Sequence, residues 1–510
     1  MNNYHKYRYT LKGKSNYIFW LALIIVFLFL DFHHILTLRP QGIHFMRQTD
    51  SISFVSNYFK NGFHFFEPQV FNLGSLEGKA ACEFPILYFF TAFLYLIFNE
   101  HEYFLRLITL SISSLGFFYL FKLMKIYLND HFLAGVFTFI FLSSTIFLYY
   151  ANNFLPDPSA LGLVLIGWYY YYLFSIENKV KHIVSSFVFF TLGSLLKVTY
   201  FINPISAIIS ILILEFLKSK RILSLIKICK APILLFILSL LIIYIWNTYV
   251  IWYNYKNHNI GFLTHALPIW NTSEEQIVEV INYISNYWYT KYYYESTIHF
   301  FLATSVLGIA LIKFANRAIL IPAAFLVLGS VCFILLFFSQ FKDHDYYFIT
   351  IIPAIIFVVL STFISIKNKF TGFFNNPFLK IALTVLCFLS LNYARNKISD
   401  RYKKSDDELS RIGISLSETR GFLDSQDIHE DARFIVMNDK TPNGGLYFIN
   451  RQGWSIPDSS ENSFKKLNEY ILLGADYILT VDEPHSKILK AGELIGVNQG
   501  VYLIKIKKSL

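Results

Sequence analysis

The stretch NNFLPDPSALGLVLIGWYYYYLF, residues 152–174, places Asp157 directly before a long run of residues without a single charge. An apolar run of about 18 or more residues is long enough to cross the hydrocarbon core of a bilayer as a helix. About ten apolar runs of this kind fill most of residues 1–395. Lipid offers no partner for backbone polar groups, and alternating barrel-type segments are absent, so we predict a bundle of membrane helices.

The composition of the 510-residue chain agrees with this class. Hydrophobic residues make up 55% and charged residues only 15%, whereas soluble domains carry roughly 25% charged residues. The formal net charge of +10 does not indicate nucleic-acid binding, because the basic residues are spread over short loops that encode membrane topology. The four cysteines form no CxxC motif, and we expect no disulfide framework.

The polar gaps between the apolar runs are of two kinds. One set is basic; the other carries acids, in RQTD (47–50), CEFP (82–85), LPDP (155–158) and KDHDYY (342–347). Short basic loops stay in the cytoplasm. We therefore predict about 11 transmembrane helices in an all-α domain over residues 1–395, with a cytoplasmic amino terminus and the acidic gaps on the extracytoplasmic face.

Several segments of this domain have specific expectations. The first run, Tyr17–Leu36, has no small-residue cleavage site after it and is predicted to be a retained span. His131–Tyr149 is predicted to be one outward span. Two large outer loops are expected at about 38–102 and 251–295. Within the first loop, Ile86–Phe98 is short for a span and is predicted to be an interfacial or re-entrant helix.

The composition changes near residue 395, where charge rises and the apolar runs shorten. Strands are predicted at Arg433–Asn438, Gly445–Asn450, Asp476–Val481 and Val501–Ile506, with a helix at Ser463–Leu473 between them. Strands separated by a helix indicate an α/β domain, and about 110 residues are enough for a separate core. We assign residues 396–510 to a small extracytoplasmic α/β domain.

Three carboxylates are candidates for catalysis. Asp50 would act as a general base that takes a proton from a hydroxyl, with Arg47 three residues earlier to bind substrate; the alternative of equal weight is a solvated loop residue. Asp157 either serves the site or caps the following helix. Glu83 is a third catalytic candidate, although Pro85 beside it could simply start the next helix.

Cationic and aromatic side chains near the same gaps are candidates for substrate binding. Lys197 interrupts the apolar stretch LLKVTYF, where it would either bind a phosphate or extend its amine towards water. His344, Tyr346 and Tyr347 lie in KDHDYY with two aspartates and could face a phosphate or a sugar. Arg106 begins an apolar run, where the alternative is an interface anchor.

The order of these motifs resembles a known family. The series is RQTD, CEFPILYFF (82–90), Glu102 to Arg106, NNFLPDPSALGLVLIGWYYYY, the lone Lys197 and HDYY. It resembles the GT-C membrane glycosyltransferases, and among them bacterial relatives of the protein O-mannosyltransferases and of the lipid A aminoarabinose transferase. The likeness covers roughly residues 17–395, and LYFINRQGW (446–454) resembles part of the extracytoplasmic domain that many of these proteins carry.

The resemblance implies a polyprenyl-phosphate sugar donor and an inverting transfer to a hydroxyl of an extracytoplasmic lipid, glycan or protein, in the inner (plasma) membrane of a bacterium. Asp50 occupies the position of the first-loop catalytic carboxylate of the family, and Asp157 the second acidic position. Glu83-Phe84-Pro85 stands where the aminoarabinose enzymes have Lys-Pro-Pro. Because that lysine is missing, Lys197 and His344 become the candidates for the donor phosphate.

Some relatives use a divalent metal ion, and the acids here could hold one, although no ligand spacing indicates it. Two other functions remain open. A transporter or flippase of a lipid-linked saccharide would bury ionisable groups near the midplane and often shows two related halves. A surface-polysaccharide polymerase or ligase would share the layout of many spans. The RQTD and EFP motifs favour the transferase.

Overall fold

The structure is a computed structural model that describes residues 13–220, 229–259, 261–262, 266–403, 408–481 and 483–507. The predicted apolar runs are helical in it. Its α-helices are Lys14–Phe29, Phe32–Ile35, Phe45–Lys60, Ile86–Phe98, Tyr103–Leu128, His131–Leu142, Thr145–Ala151, Asp157–Glu177, Val180–Leu196, Ile202–Ser219, Lys230–Lys256, Glu274–Tyr283, Tyr289–Tyr292, Glu295–Ala310, Arg317–Leu336, Ile352–Lys369, Pro377–Lys403, Glu408–Ser415, Thr419–Ser425, Gly444–Ile449, Glu461–Leu472 and Ser486–Ala491.

Among the described residues, seven helices are long and apolar enough to cross a membrane, or eight if one bent pair counts as a span. The predicted number of about 11 is not confirmed, because four further apolar helices have only 10–17 residues. Lys14–Phe29, with 16 residues, reaches about 24 Å at 1.5 Å per residue, less than the roughly 30 Å of a hydrocarbon core. The predicted first span to Leu36 is therefore a helix that ends at Phe29, followed by the short helix Phe32–Ile35.

The run His131–Tyr149, predicted to be one outward span, consists of two helices. His131–Leu142 and Thr145–Ala151 meet at 81°, the geometry of a broken span or of a re-entrant loop, and the single span stays a prediction. Ser143 and Ser144 lie at the break. Ser144 caps the second helix by accepting a hydrogen bond from the backbone N–H of Phe147 at 3.3 Å. Serine pairs are among the few local causes of sharp kinks.

The described chain forms two compact units. The first contains described residues of 1–36, 107–247 and 265–398; the second contains those of 37–106, 248–264 and 399–510. In the first unit, the helices that carry Gly116 and Gly162 touch through their backbones, since a Cβ on Gly116 would lie 2.3 Å from the Cα of Gly162. Trp168 is fully buried there and donates from Nε1 to Oδ1 of Asn203 at 2.8 Å.

The second unit contains a mixed five-stranded sheet. Its strands are β1 (Phe434–Met437), β2 (Gly453–Ile456), β3 (Tyr477–Thr480), β4 (Gly492–Asn498) and β5 (Val501–Ile506), in the spatial order β2-β1-β3-β5-β4. β1 pairs in parallel with β2 and β3, and β5 pairs antiparallel with β3 and β4. Helix Glu461–Leu472 packs on it through Phe464 and Leu467.

The sheet confirms three of the four predicted strands. The predicted strand Gly445–Asn450 is wrong, because Gly444–Ile449 is a helix that ends at Asn450 in the left-handed conformation (φ 56°). β2 and β4 were not predicted. The first residue of β2 also pairs with the first predicted outer loop, where the backbone N–H of Leu73 donates to the carbonyl of Gly453 at 2.7 Å.

Candidate active site

The RQTD motif lies on helix Phe45–Lys60 in the second unit. This helix is polar in sequence yet largely buried, and the four motif residues have separate tasks. Gln48 holds the preceding turn, donating from Nε2 to the carbonyls of Gln41 at 2.8 Å and Ile43 at 3.0 Å. The hydroxyl of Thr49 donates a hydrogen bond to the carbonyl of Met46 at 2.9 Å. Arg47 and Asp50 are thereby left for interactions outside the helix.

Arg47 forms a bidentate ion pair with Glu83 of the CEFP motif. Its Nη2 donates to Oε1 at 2.8 Å and to Oε2 at 3.0 Å. The hydroxyl of Tyr88 also donates to Oε1 of Glu83 and lies 3.2 Å from Oγ of Ser51. A paired and hydrogen-bonded geometry is the arrangement in which a partly buried charge pair is best stabilised. The structure thus brings the two predicted motifs together.

Asp50 is 8% exposed, and none of the described residues donates a hydrogen bond to its carboxylate. Burial raises its pKa to about 7; the nearby Glu83 adds to the increase, and Arg47 opposes it. Loss of hydration disfavours the charged form of a carboxyl group, which explains the direction of this change. A general base is most effective when its pKa is near the working pH, so Asp50 has the properties of a base.

Arg106, also in the second unit, is fully buried and has partners outside this group. Its Nη2 donates to the carbonyl of Leu38 at 3.0 Å and its Nη1 to the hydroxyl of Tyr402 at 3.3 Å. These contacts join the loop after Leu36 to the end of helix Pro377–Lys403. These contacts give the buried Arg106 a structural role. Substrate binding by this side chain stays a prediction.

Asn443 is a positioning residue that the sequence analysis missed. It is 1% exposed; its Nδ2 donates to the hydroxyl of Ser53, and its Oδ1 accepts from the backbone N–H of Phe71 at 2.9 Å. Ser53 lies one turn after Asp50 on the same helix. The carboxyl-terminal part of the chain therefore helps to hold the helix that carries the candidate base, and no local sequence signal indicates a pairing 390 residues apart.

The other predicted residues assemble in the first unit. Nζ of Lys197 lies 3.4 Å from Oδ1 of Asp157, and the exposed fractions of the two side chains are 19% and 1%. The same ammonium group lies over the rings of Tyr346 at 4.8 Å and Tyr347 at 5.0 Å. Pro156, and not Asp157, is the N-cap of helix Asp157–Glu177. Lys197 is thus ion-paired inside the unit, and phosphate binding by its amine stays a prediction.

His344 and a residue beside it complete this second group. The ring of His344 lies 5.4 Å from that of Tyr346 and 5.2 Å from that of Tyr347. Asp345 is fully buried and accepts a hydrogen bond from the hydroxyl of Tyr150 at 2.6 Å. The sequence analysis noted Asp345 among the acids but did not select it or Tyr150. We call Asp157, Lys197, His344, Asp345, Tyr346 and Tyr347 the lysine cluster, and Arg47, Asp50, Glu83 and Tyr88 the arginine cluster.

Metal ligation was a further prediction for the acids. Within the described ranges, ligand atoms of three His, Cys, Asp or Glu side chains come within 4.8 Å of one another at one place, formed by the exposed residues Asp31, His33 and His34. Neither cluster provides three such ligands. A divalent ion at the predicted acids would therefore need ligands from the substrate or from water, and it stays a prediction.

Comparison with known proteins supports the resemblance drawn from the motifs. Residues 82–252 match the model of a family described as dolichyl-phosphate-mannose-protein mannosyltransferase. No curated protein matches the chain. The structure is similar to ArnT from Cupriavidus metallidurans bound to undecaprenyl phosphate, with 11% identity, a TM-score of 0.61 and coverage of 96% of this chain and 98% of that one.

Two further solved structures are similar. The apo state of the same ArnT has 9% identity, a TM-score of 0.57 and coverage of 95% and 97%. The archaeal oligosaccharyltransferase AglB from Archaeoglobus fulgidus, in complex with an inhibitory peptide and a dolichol-phosphate, has 12% identity, a TM-score of 0.50 and coverage of 92% of this chain and 70% of that one. The resemblance to the GT-C membrane glycosyltransferases is thereby confirmed, at the level of the fold and of the matched family segment.

Proposed function

We propose that this protein is a membrane glycosyltransferase that moves a sugar from a polyprenyl-phosphate donor to a hydroxyl group of an extracytoplasmic acceptor. The observation that carries the proposal is Asp50, a buried carboxylate with a pKa of about 7 beside the Arg47–Glu83 ion pair. The fold supports it, since the similar ArnT structure is a complex with undecaprenyl phosphate. The family segment that matches residues 82–252 carries the name of a lipid-phosphate-sugar transferase.

Asp50 is the general base in this proposal. It takes the proton of the acceptor hydroxyl as the hydroxyl oxygen attacks the anomeric carbon of the donor sugar. The bond between that carbon and the phosphate oxygen breaks, and the polyprenyl phosphate leaves with the electron pair. Because attack and departure occur on opposite faces of the sugar, one displacement inverts the anomeric configuration.

The lysine cluster lies in the first unit and is, in this proposal, a separate candidate site for the phosphate group of a lipid-linked substrate. An ammonium group carries three N–H donors, so Lys197 can contact a phosphate oxygen as well as Asp157. Preorganised positive charge is an effective way to stabilise a phosphate anion in a site of low polarity. Asp157 then orients Lys197, and His344 and Tyr346 offer further polar groups for the donor.

Glu83 has a positioning role rather than contact with the reacting atoms. Both of its carboxylate oxygens are used by Arg47, and one of them also accepts from Tyr88. The ion pair fixes the position of the Arg47 guanidinium, and Arg47 lies three residues before Asp50 in the sequence. In this proposal Arg47 contacts the substrate. This assignment differs from the Lys-Pro-Pro arrangement of the aminoarabinose enzymes, because here the residue before Phe84 is an anion.

The test uses the full chain in lipid nanodiscs with a panel of tritiated hexoses and pentoses linked to undecaprenyl phosphate. Extracted bacterial envelope serves as the acceptor source, and transfer is followed as label that leaves the donor lipid. Asp50→Asn should abolish transfer. The matched control is Asp431→Asn, which makes the same chemical change on a side chain that is 91% exposed and should leave transfer unchanged.

Full transfer by Asp50→Asn would contradict the assigned mechanism. Movement of intact donor across a proteoliposome membrane without covalent transfer would instead support a flippase. Transfer that requires a diphosphate-linked glycan would support a polymerase or ligase. Each of these results replaces the proposed function with one of the alternatives that the sequence left open.

A further inference from the structure

A group of metal-ligating side chains lies outside both clusters, after the first described helix. Helix Lys14–Phe29 is followed by the short helix Phe32–Ile35, and Asp31 lies directly before the second of them. One ligand atom each of Asp31, His33 and His34 comes within 4.8 Å of the others. We call these three side chains the histidine cluster. They belong to the first unit, and the proposed reaction uses none of them.

The distances within the histidine cluster are too long for hydrogen bonds and suit a shared metal ion. Oδ1 of Asp31 lies 3.6 Å from Nε2 of His33 and 3.7 Å from Nε2 of His34. Both distances exceed the range of a hydrogen bond between nitrogen and oxygen. Two ligands bound at about 2.0–2.1 Å to a tetrahedral zinc ion lie about 3.4 Å apart, which is the edge of that tetrahedron. The two nitrogens therefore approach one oxygen at nearly the spacing that a common ion imposes.

The backbone of the turn brings the three ligands together. Asp31 has the left-handed conformation (φ 61°, ψ 28°), which is uncommon outside glycine and which aspartate tolerates better than most residues. Its carbonyl accepts from the backbone N–H groups of His34 and Ile35, each at 3.2 Å. Phe32 and Ile35 are buried, and the ring of Phe32 stacks on that of Phe27 at 5.1 Å. Because the turn is anchored in this way, ion binding requires only small rotations of the three side chains.

The types of ligand decide which ion the histidine cluster suits. The rings of His33 and His34 lie 4.2 Å apart, so two imidazole nitrogens and one carboxylate oxygen are available together. Imidazole is a ligand for zinc and other late transition metals, whereas Mg²⁺ and Ca²⁺ are bound through oxygen atoms. All three side chains are more than half exposed, so water can occupy the remaining coordination position.

The short helix that carries the two histidines also contacts the stretch that leads to Asp157. The backbone carbonyl of Phe32 accepts a hydrogen bond from Nδ2 of Asn152 at 3.1 Å. Asn152 is the first residue of NNFLPDP, in which Asp157 stands. An ion bound to the histidine cluster would therefore restrain the backbone to which this stretch is bonded.

We propose that the histidine cluster binds one zinc ion, through Oδ1 of Asp31 and Nε2 of His33 and His34, with water as the fourth ligand. The ion is structural, because it cross-links the turn and restrains the helix Phe32–Ile35. The site is independent of the proposed function, since none of its ligands belongs to the arginine cluster or to the lysine cluster.

The test is isothermal titration of ZnCl₂ into the full chain in nanodiscs. The protein is purified with an affinity tag that contains no histidine, stripped with EDTA and dialysed. The unmodified protein should bind one more zinc ion at micromolar concentration than Asp31→Asn does. Changes to second-shell residues already lower metal affinity 10–100-fold, so the loss of a ligand should weaken binding at this site by about 100-fold.

Three further variants complete the titration. His33→Gln and His34→Gln should each show the same loss as Asp31→Asn, and all three should fold because the side chains are exposed. The matched control is His429→Gln. Nδ1 of His429 lies 3.2 Å from Oδ2 of Asp431 in another exposed pair, but within the described ranges that pair has no third ligand. His429→Gln should bind zinc as the unmodified protein does.

Hydrogen exchange tests the structural role of the ion. Saturating zinc should slow exchange of the amide groups of residues 34–36, whose N–H groups close the turn, in the unmodified protein and not in Asp31→Asn. Zinc binding that leaves this exchange unchanged would overturn the structural role. The site itself is overturned if no zinc binds at micromolar concentration, if the three cluster variants bind as tightly as the unmodified protein, or if equal Mg²⁺ displaces the zinc.

Discussion

Replacing Asp50 with asparagine should remove activity and, above neutral pH, stabilise the protein. Burial raises the pKa of Asp50 from 3.8 to about 7, so the native state binds its proton more tightly than the unfolded chain does. Stability then decreases as the pH rises through the interval between these two values, and the full cost of ionising the buried group is present above pH 7. Asparagine carries no charge at any pH and avoids this cost.

The size of the effect follows from the pKa. One pKa unit corresponds to about 1.4 kcal/mol, so the ionised carboxylate costs the native state about 4 kcal/mol above pH 7. The buried amide of the variant lacks a described partner and costs about 1–3 kcal/mol in return. The net gain is about 1–3 kcal/mol. For a cooperative unit of roughly 200 residues, a gain of 2 kcal/mol raises Tm by about 4–8 °C.

The measurement is thermal unfolding in nanodiscs, followed by intrinsic fluorescence at pH 5, 6, 7 and 8. The Tm advantage of Asp50→Asn should be largest at pH 8 and should disappear at pH 5, where the native carboxyl group is protonated. Asp431→Asn should show no such difference, because that side chain is 91% exposed. Two results would refute the view that Asp50 is a desolvated base. One is an Asp50→Asn protein that is no more stable than the unmodified protein at pH 8. The other is a Tm advantage of the variant at pH 5 that equals its advantage at pH 8.

Three other variants test the remaining contacts. Glu83→Gln should lower the pKa of Asp50, because it removes a neighbouring negative charge; the acid limb of the kcat/KM profile should move to lower pH, and an unchanged limb would speak against this coupling. Lys197→Met should destabilise the protein by about 3–5 kcal/mol, because it leaves Asp157 charged and buried; adding Asp157→Asn should recover much of the lost Tm, and a further loss would argue against the pair. Asn443→Ala should cost about 1–3 kcal/mol through lost buried hydrogen bonds and should lower kcat in the transfer assay; wild-type kcat would mean that Asn443 does not position the base.

Helix Phe45–Lys60 shows what the sequence could and could not predict about the site. RQTD and CEFP were recognised as candidate motifs, and the structure joins them through Arg47 and Glu83. The helix itself was read as a polar loop. Its serine and threonine hydroxyls bond to its own backbone, as Ser53 does to the carbonyl of Thr49 at 2.6 Å, so it is buried without being apolar. Hydropathy cannot distinguish such a helix from a loop when its partners, such as Asn443, are distant in sequence.

The other differences between expectation and structure have local causes. GLYFIN was predicted to be a strand because a short apolar run fits a buried strand and a buried helix equally well. The sharp bend at Ser143 and Ser144 is invisible in a hydrophobicity pattern that continues on both sides. Helices such as Glu295–Ala310 are as apolar as spans but too short to meet the length criterion, which is why apolar runs overstate the number of crossings.

The arginine cluster suggests why the two motifs occur together. Burial alone would raise the pKa of Asp50, and an Arg47 with no other partner would hold the carboxylate as a stable ion and lower it. Both oxygens of Glu83 bind Arg47, so part of the positive charge is neutralised before it acts on Asp50. The balance leaves a carboxylate that ionises near neutral pH. A lysine at position 83, as in the aminoarabinose enzymes, would remove this compensation and add a second cation. A chain with lysine there would therefore need a more exposed or differently paired base to keep the same proton affinity.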